Sequence, residues 1–193
     1  MPHVEVEGET LLHRILWQTV ERQLKNASKN PNGSFYDDLA AMVFASHALE
    51  AYLNFVGERL APEFWKDERK HFRPTGFAGK ILKVLELCQI EEPSKIERPY
   101  STVWMLKALR DRIAHAKPER FSATRWHSAN EEPDLFRKPL DGVVTHENAL
   151  AAADDLKKFV RPIHEAARAK IQDVGLGTEA FGRIVQRSTG SRV

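Results

Sequence analysis

The fold turns on one stretch, Leu39-Ala40-Ala41-Met42-Val43-Phe44-Ala45-Ser46-His47-Ala48-Leu49-Glu50-Ala51-Tyr52-Leu53-Asn54-Phe55-Val56-Gly57-Glu58-Arg59-Leu60. Leu39, Met42, Ser46, Leu49, Leu53, Val56 and Leu60 recur at alternating intervals of three and four. That spacing lines side chains along one face of an α-helix, the seam of a helical bundle. Asn30-Pro31-Asn32-Gly33-Ser34 supplies turn chemistry before the helix, and Pro62 follows it.

The same period extends outward in both directions. A first helix is expected over residues 10–27, with Leu12, Ile15, Leu16, Thr19, Val20 and Leu24 as its apolar stripe. The charged stretch Trp65 to Pro74 reads as a connector. A third helix covers Phe77 to Ile90, with Ile81, Val84, Leu85 and Cys88 inward, and Glu91-Glu92-Pro93-Ser94 breaks it. A fourth runs from Tyr100 to Ala116 and stops where Pro118 pushes Lys117 out of the α region. The last follows Thr145, an N-cap residue type, and reaches Ile171 along Leu150, Ala153, Leu156, Val160, Ile163, Ala167 and Ile171. Pro162 is expected to kink it or to divide it in two.

Two segments lack the period. Residues 117–144 carry Pro118, Pro133 and Pro139 and read as a long insertion, with a small hairpin around Leu140-Asp141-Gly142-Val143. The glycine-rich end, residues 173–193, reads as a flexible tail. The expected architecture is therefore all-α: an antiparallel bundle of four to five helices in one domain, residues 1–172.

Composition narrows the function. Lys plus Arg is 29 against 27 Asp plus Glu, a net charge of +2, which excludes a bulk polyanion wrapper and an acidic disordered tail. An apolar content of 42% supports a real core. Cys88 is the single cysteine, so neither an intrachain disulfide nor a cysteine-built zinc site is available. The acidic start, Met1-Pro2-His3-Val4-Glu5-Val6-Glu7, lacks the apolar core of a secretory signal, and no apolar run is read as a membrane span. A cytoplasmic protein without a membrane partner is expected.

The fourth helix ends Leu109-Arg110-Asp111-Arg112-Ile113-Ala114-His115. Val103, Leu106, Leu109 and Ile113 form an ordinary core face. Trp104, Ala108, Asp111 and His115 form a second stripe, nearly opposite, where a large aromatic suggests a partner outside the bundle. Arg110 lies five residues from His115, about 140° around the helix. One copy therefore does not aim both side chains at one phosphate, whereas two copies across a two-fold axis share a cleft. A histidine in the last helical turn suits acid–base work on a phosphodiester, and a guanidinium suits the extra charge of its transition state. A blander assignment stays open: local ion pairs for Arg110 and Asp111, and a cap on the last carbonyls for His115. Either way Asp111 and His115 are expected to pair at i, i+4.

Arg110-Asp111-Arg112-Ile113-Ala114-His115 resembles the arginine–polar–spacer–histidine signature of HEPN domains. Phe44 to Asn54 resembles the corresponding second helix. The likeness extends over residues 10–172, with the six-residue motif as its specific part. It implies a helical bundle that dimerises and, in active members, cleaves RNA without metal or other cofactor, leaving a 2′,3′-cyclic phosphate. Arg110 and His115 then take the catalytic roles, with Asp111 orienting them. It also implies service in toxin–antitoxin, phage-defence or RNA-processing systems, with RNA, a second copy and an antitoxin protein as partners. Other members are inactive and only bind partners. The 117–144 insertion departs from the family pattern.

Around the motif, Glu50 and Ser46 on the second helix and Trp104 on the fourth are supporting candidates. Ser46 and Glu50 also read as a buried, satisfied polar cluster. Arg112, Lys117, Arg120, Arg125 and Trp126, with Phe121 and His127, form a basic, aromatic stretch suited to phosphates and unpaired bases, or a surface loop docked on the bundle. Seven further histidines are scattered without ligand spacing, so no metal site is assigned. Gly76-x-x-Gly79-Lys80 lacks the full phosphate-loop pattern, and Cys88 lies on an apolar stripe. Residues 101–127 hold six Lys and Arg against Asp111 and Glu119, so near-neutrality overall conceals a local basic field.

Overall fold

A computed structural model describes residues 4–118, 140, 142–171, 176–183 and 186–192. The expected all-α bundle is present. Five long helices carry it: α1 (Leu12–Lys29), α2 (Ser34–Leu60), α5 (Phe77–Cys88), α6 (Tyr100–Ala114) and α7 (His146–Lys170). Two short helices, α3 (Pro62–Lys66) and α4 (Glu68–His71), occupy the stretch read as a connector. The strands β1 (Val4–Thr10) and β2 (Gln186–Arg192) pair antiparallel, Val4 opposite Arg192 and Thr10 opposite Gln186.

α2 is the axis of the bundle and touches each of the other four long helices. Its seam accordingly spreads to several sides: Asp38, Ala41, Met42, Ala45, Ser46, Ala48, Leu49, Tyr52, Leu53, Phe55, Val56 and Gly57 are all buried. The segment Pro31–Leu60 has the length and composition of a membrane span, with a window of mean hydropathy 1.3. Packing on four helices accounts for that apolarity, and 56% of the window is buried in the bundle. Gly57 belongs to this packing, because a Cβ there would lie 1.9 Å from Trp65 Cζ2. The indole closes over the bare backbone and donates to Asn54 Oδ1 at 3.3 Å.

α7 is one continuous helix through Pro162. Thr145 caps it as expected, its hydroxyl accepting from the Asn148 backbone N–H at 3.1 Å. Leu150 is exposed rather than inward, and Ala149 and Ala152 take its place beneath Leu156, Val160, Ile163 and Ala167. Full burial of residues such as Leu156, Ile163, Ile81 and Leu53 stabilises the bundle by roughly 1.5–3 kcal/mol each.

The face assigned to α1 is corrected. Leu12 and Ile15 are exposed, whereas His13, Arg14, Trp17, Val20 and Ala27 are buried. Arg14 enters because the C-terminal segment accepts from it: its Nη2 donates to the Leu176 carbonyl at 2.6 Å and the Glu179 carbonyl at 3.2 Å. The same contacts dock part of the C-terminal segment on the bundle. Leu176 and Ala180 are buried, Phe181 stacks on Trp17 with centroids 4.1 Å apart, and β2 pairs with β1. Of the expected insertion, residues 119–139 and Asp141 of the expected hairpin lie outside the described residues.

Candidate functional site

The site is built where α6 crosses α2 and α5. Tyr100 anchors the start of α6, fully buried and stacked on Phe159 with centroids 5.4 Å apart. Thr102 donates to Asp155 of α7, which also accepts from Arg98 Nε at 2.6 Å. Val103, Leu106 and Leu109 then fill the core, so the register of α6 is set before the motif begins.

That register turns Arg110 inward, with its side chain 17% exposed. Its Nη1 donates to Glu50 Oε2 of α2 at 2.5 Å, and its Nη2 and Nε donate to Asp111 Oδ1 at 2.9 and 3.2 Å. The guanidinium carbon lies 5.5 Å from the centroid of Phe77, the first residue of α5. Lys80 of α5 reaches the other Glu50 oxygen at 3.3 Å and Glu68 of α4 at 3.2 Å. Lys107 bonds Asp111 Oδ2 at 2.6 Å. Charges therefore alternate along one ladder: Glu68, Lys80, Glu50, Arg110, Asp111, Lys107.

Burial opposes the Arg110 charge, but the bonds to Asp111 and Glu50 outweigh it and hold the guanidinium above its ordinary pKa. The Asp111 carboxyl is held below its ordinary range, first by the bond from Lys107 and then by Arg110. Arg110 is thus always charged and fixed in direction by two carboxylates on different helices. Three of its five N–H donors go to these carboxylates, so a second anion such as a phosphate would share the guanidinium with Asp111 and Glu50.

The sequence candidates separate into groups. Arg110, Asp111 and Glu50 come together. His115 is the C-cap of α6 and is exposed; its backbone N–H donates to the Asp111 carbonyl at 3.0 Å. The expected Asp111–His115 side-chain pair is replaced, because Lys107 and Arg110 occupy both Asp111 oxygens. Ser46 is buried, with no hydrogen bond to Oγ among the described residues, so the satisfied-cluster reading does not hold for it. Trp104 is half-buried against the core, edge-on to Tyr100 and Phe77, with Lys95 Nζ 5.0 Å from its ring. It is not the exposed aromatic that the second stripe suggested. Arg112 and Lys117 are exposed. Arg120, Phe121, Arg125, Trp126 and His127 lie outside the described residues.

Three members of the ladder were not singled out from sequence as parts of this site: Lys80, Glu68 and Lys107. Lys80 carried a signal, since it lies three residues after Phe77 and four before Val84, on the buried stripe of α5. A lysine on such a stripe needs a carboxylate partner. Cys88 is buried, its thiol pushed up to about 11 by burial, with Sγ donating weakly to the Ile163 carbonyl at 3.7 Å. Among the described residues, no group of three or more His, Cys, Asp or Glu side chains is placed to hold a metal ion.

Comparison with known proteins adds no relative: no family model, curated protein or solved structure matches the chain.

Proposed function

We propose that the end of α6 is the active site of a metal-independent endoribonuclease of the HEPN type that the motif resembles. In this reading His115 exchanges protons with the ribose 2′-hydroxyl and the leaving 5′-oxygen, and Arg110 offsets the charge of the pentacoordinate phosphorane. Asp111 and Glu50 orient Arg110. The bond broken is P–O5′ and the bond formed joins the 2′-oxygen to phosphorus, leaving a 2′,3′-cyclic phosphate. The observation that carries this reading is the inward, doubly held Arg110 five residues before an exposed helix-terminal histidine.

Arg110 faces α2 and α5, while His115 stands at the open end of α6, so one chain presents an incomplete cleft. A homodimer joining two α6 ends completes it. RNA is the substrate, approached through Arg112 and Lys117; an antitoxin protein is the partner that would restrain it, in a cytoplasmic toxin or defence setting. A second reading, a catalytically silent interaction module, is favoured by one feature. Arg110 already has its charge met by Glu50 and Asp111, which suits a structural ion pair.

Incubation with structured and unstructured RNA in excess chelator separates the two. The nuclease reading expects cleavage that disappears in both Arg110→Ala and His115→Ala. Cleavage unchanged in both variants would remove these residues from the mechanism.

A further inference from the structure

Three helix ends converge away from the ionic ladder and share no residue with it. Ser28 lies in the last turn of α1, Asp38 in the first turns of α2, and His146 is the first residue of α7. His146 Nδ1 is 2.8 Å from Asp38 Oδ1, and His146 Nε2 is 3.0 Å from Ser28 Oγ. The Asp38 side chain is fully buried, that of His146 is 32% exposed, and Ser28 is open to solvent. Access thus rises from carboxylate to imidazole to hydroxyl. The second Asp38 oxygen is buried with no hydrogen bond among the described residues, so the imidazole is the carboxylate's one assigned partner there.

We propose that Ser28, His146 and Asp38 form an acyl-transfer site, with Ser28 as nucleophile, His146 as proton carrier and Asp38 as the positioning residue. The order and distances are those that acyl transfer requires: a hydroxyl within hydrogen-bond reach of an imidazole whose other nitrogen is fixed by a carboxylate. The Ser28 hydroxyl also lies 2.9 Å from the Leu24 carbonyl, so its proton has two acceptors in reach. Rotation about Cβ–Oγ directs it to His146. The first turn of α7 adds backbone N–H groups next to the imidazole; Thr145 takes that of Asn148, and the N–H groups of His146 and Glu147 precede the first intrahelical bond.

The substrate class is an acyl ester with a good leaving group, reaching Ser28 from solvent. Ser28 Oγ bonds to the acyl carbon as its proton passes to His146 Nε2. Collapse of the tetrahedral adduct breaks the bond to the leaving oxygen, which takes that proton. Water then repeats the sequence on the acyl-serine, releasing the acid and restoring Ser28.

The test uses the purified full chain with a fluorophosphonate reagent, followed by peptide mass analysis, and with p-nitrophenyl acetate. The expected result is one phosphonyl adduct on Ser28, formed as the P–F bond breaks and the hydroxyl proton moves to His146. Ser28→Ala abolishes the adduct. His146→Ala and His146→Gln, both checked for native helicity, slow it by roughly 10²–10⁴-fold, the range of a general base. Asp38→Asn removes the far-downfield imidazole N–H proton resonance of the His146–carboxylate bond and slows labelling while helicity is retained. Absence of an adduct on Ser28 in the wild-type chain overturns the proposal and leaves the three residues as a latch between helix ends. An adduct that forms equally fast in folded His146→Gln overturns it as well.

Discussion

Lowering the pH from 7 to 5 is expected to remove about 2 kcal/mol of folding stability through His13 alone. His13 is buried beneath Phe55 and Tyr52, with ring centroids 4.5 and 5.6 Å away. Burial, reinforced by Arg14 and Arg59, lowers its pKa from 6.5 to about 3. At pH 5 the unfolded chain therefore binds a proton at His13 that the folded chain refuses. Stability rises with pH wherever the unfolded state binds more protons, so this contribution is complete above 6.5 and is lost as pH falls toward 3. The magnitude at pH 5 depends on the unfolded value, because folded His13 is already neutral there. For a chain of this size the loss corresponds to a fall in Tm of about 4–8 °C. Buried His164, lowered first by desolvation, adds in the same direction. Urea unfolding at pH 7 and pH 5, on wild type and His13→Leu, isolates the effect. The variant is expected to lose about 2 kcal/mol less than wild type over that interval. Equal losses in the two proteins would refute the burial of a neutral His13.

Other expectations follow from single contacts. Glu50→Gln removes the carboxylate shared by Lys80 and Arg110, yet each cation keeps a second one, Glu68 and Asp111 respectively. The cost is therefore about 1–2 kcal/mol rather than that of an isolated buried charge, measured by chemical unfolding. Thr145→Ala removes the α7 cap and is expected to cost about 1 kcal/mol in the same assay. Phe181→Ala unstacks the C-terminal segment from Trp17, so limited proteolysis is expected to cut residues 176–192 well before the helical bundle. Equal protection in wild type and variant would show that the segment is held without this stack.

Legibility from sequence followed the range of the interactions. α2 is legible because a seam spaced by three and four is a local property, and the Thr145 cap because it acts over three residues. Periodicity alone rotates α1, since His13 and Arg14 are polar and Leu12 and Ile15 are not. What buries Arg14 is a pair of carbonyls more than 160 residues away, which periodicity does not reveal. The docking of residues 176–183 is hidden for the same reason: it depends on Arg14 and Trp17, while the glycines of the segment signal only turns. At the α6 site Arg110, Asp111 and Glu50 are legible from the motif and the seam of the neighbouring helix. Lys80 and Glu68 come from α5 and α4, whose placement only the folded bundle defines. Ser28, Asp38 and His146 have no local signature at all, being brought together across 108 and 118 residues.

The proposed cleavage of RNA by side chains at the α6 end has one decisive readout. It is mass analysis of the RNA ends produced by the purified protein in excess chelator, alongside His115→Ala. Fragments ending in 2′,3′-cyclic phosphate with wild type, and none with the variant, are the result this account predicts. Intact RNA with a folded, dimeric wild-type protein, or identical fragments from both proteins, would contradict it.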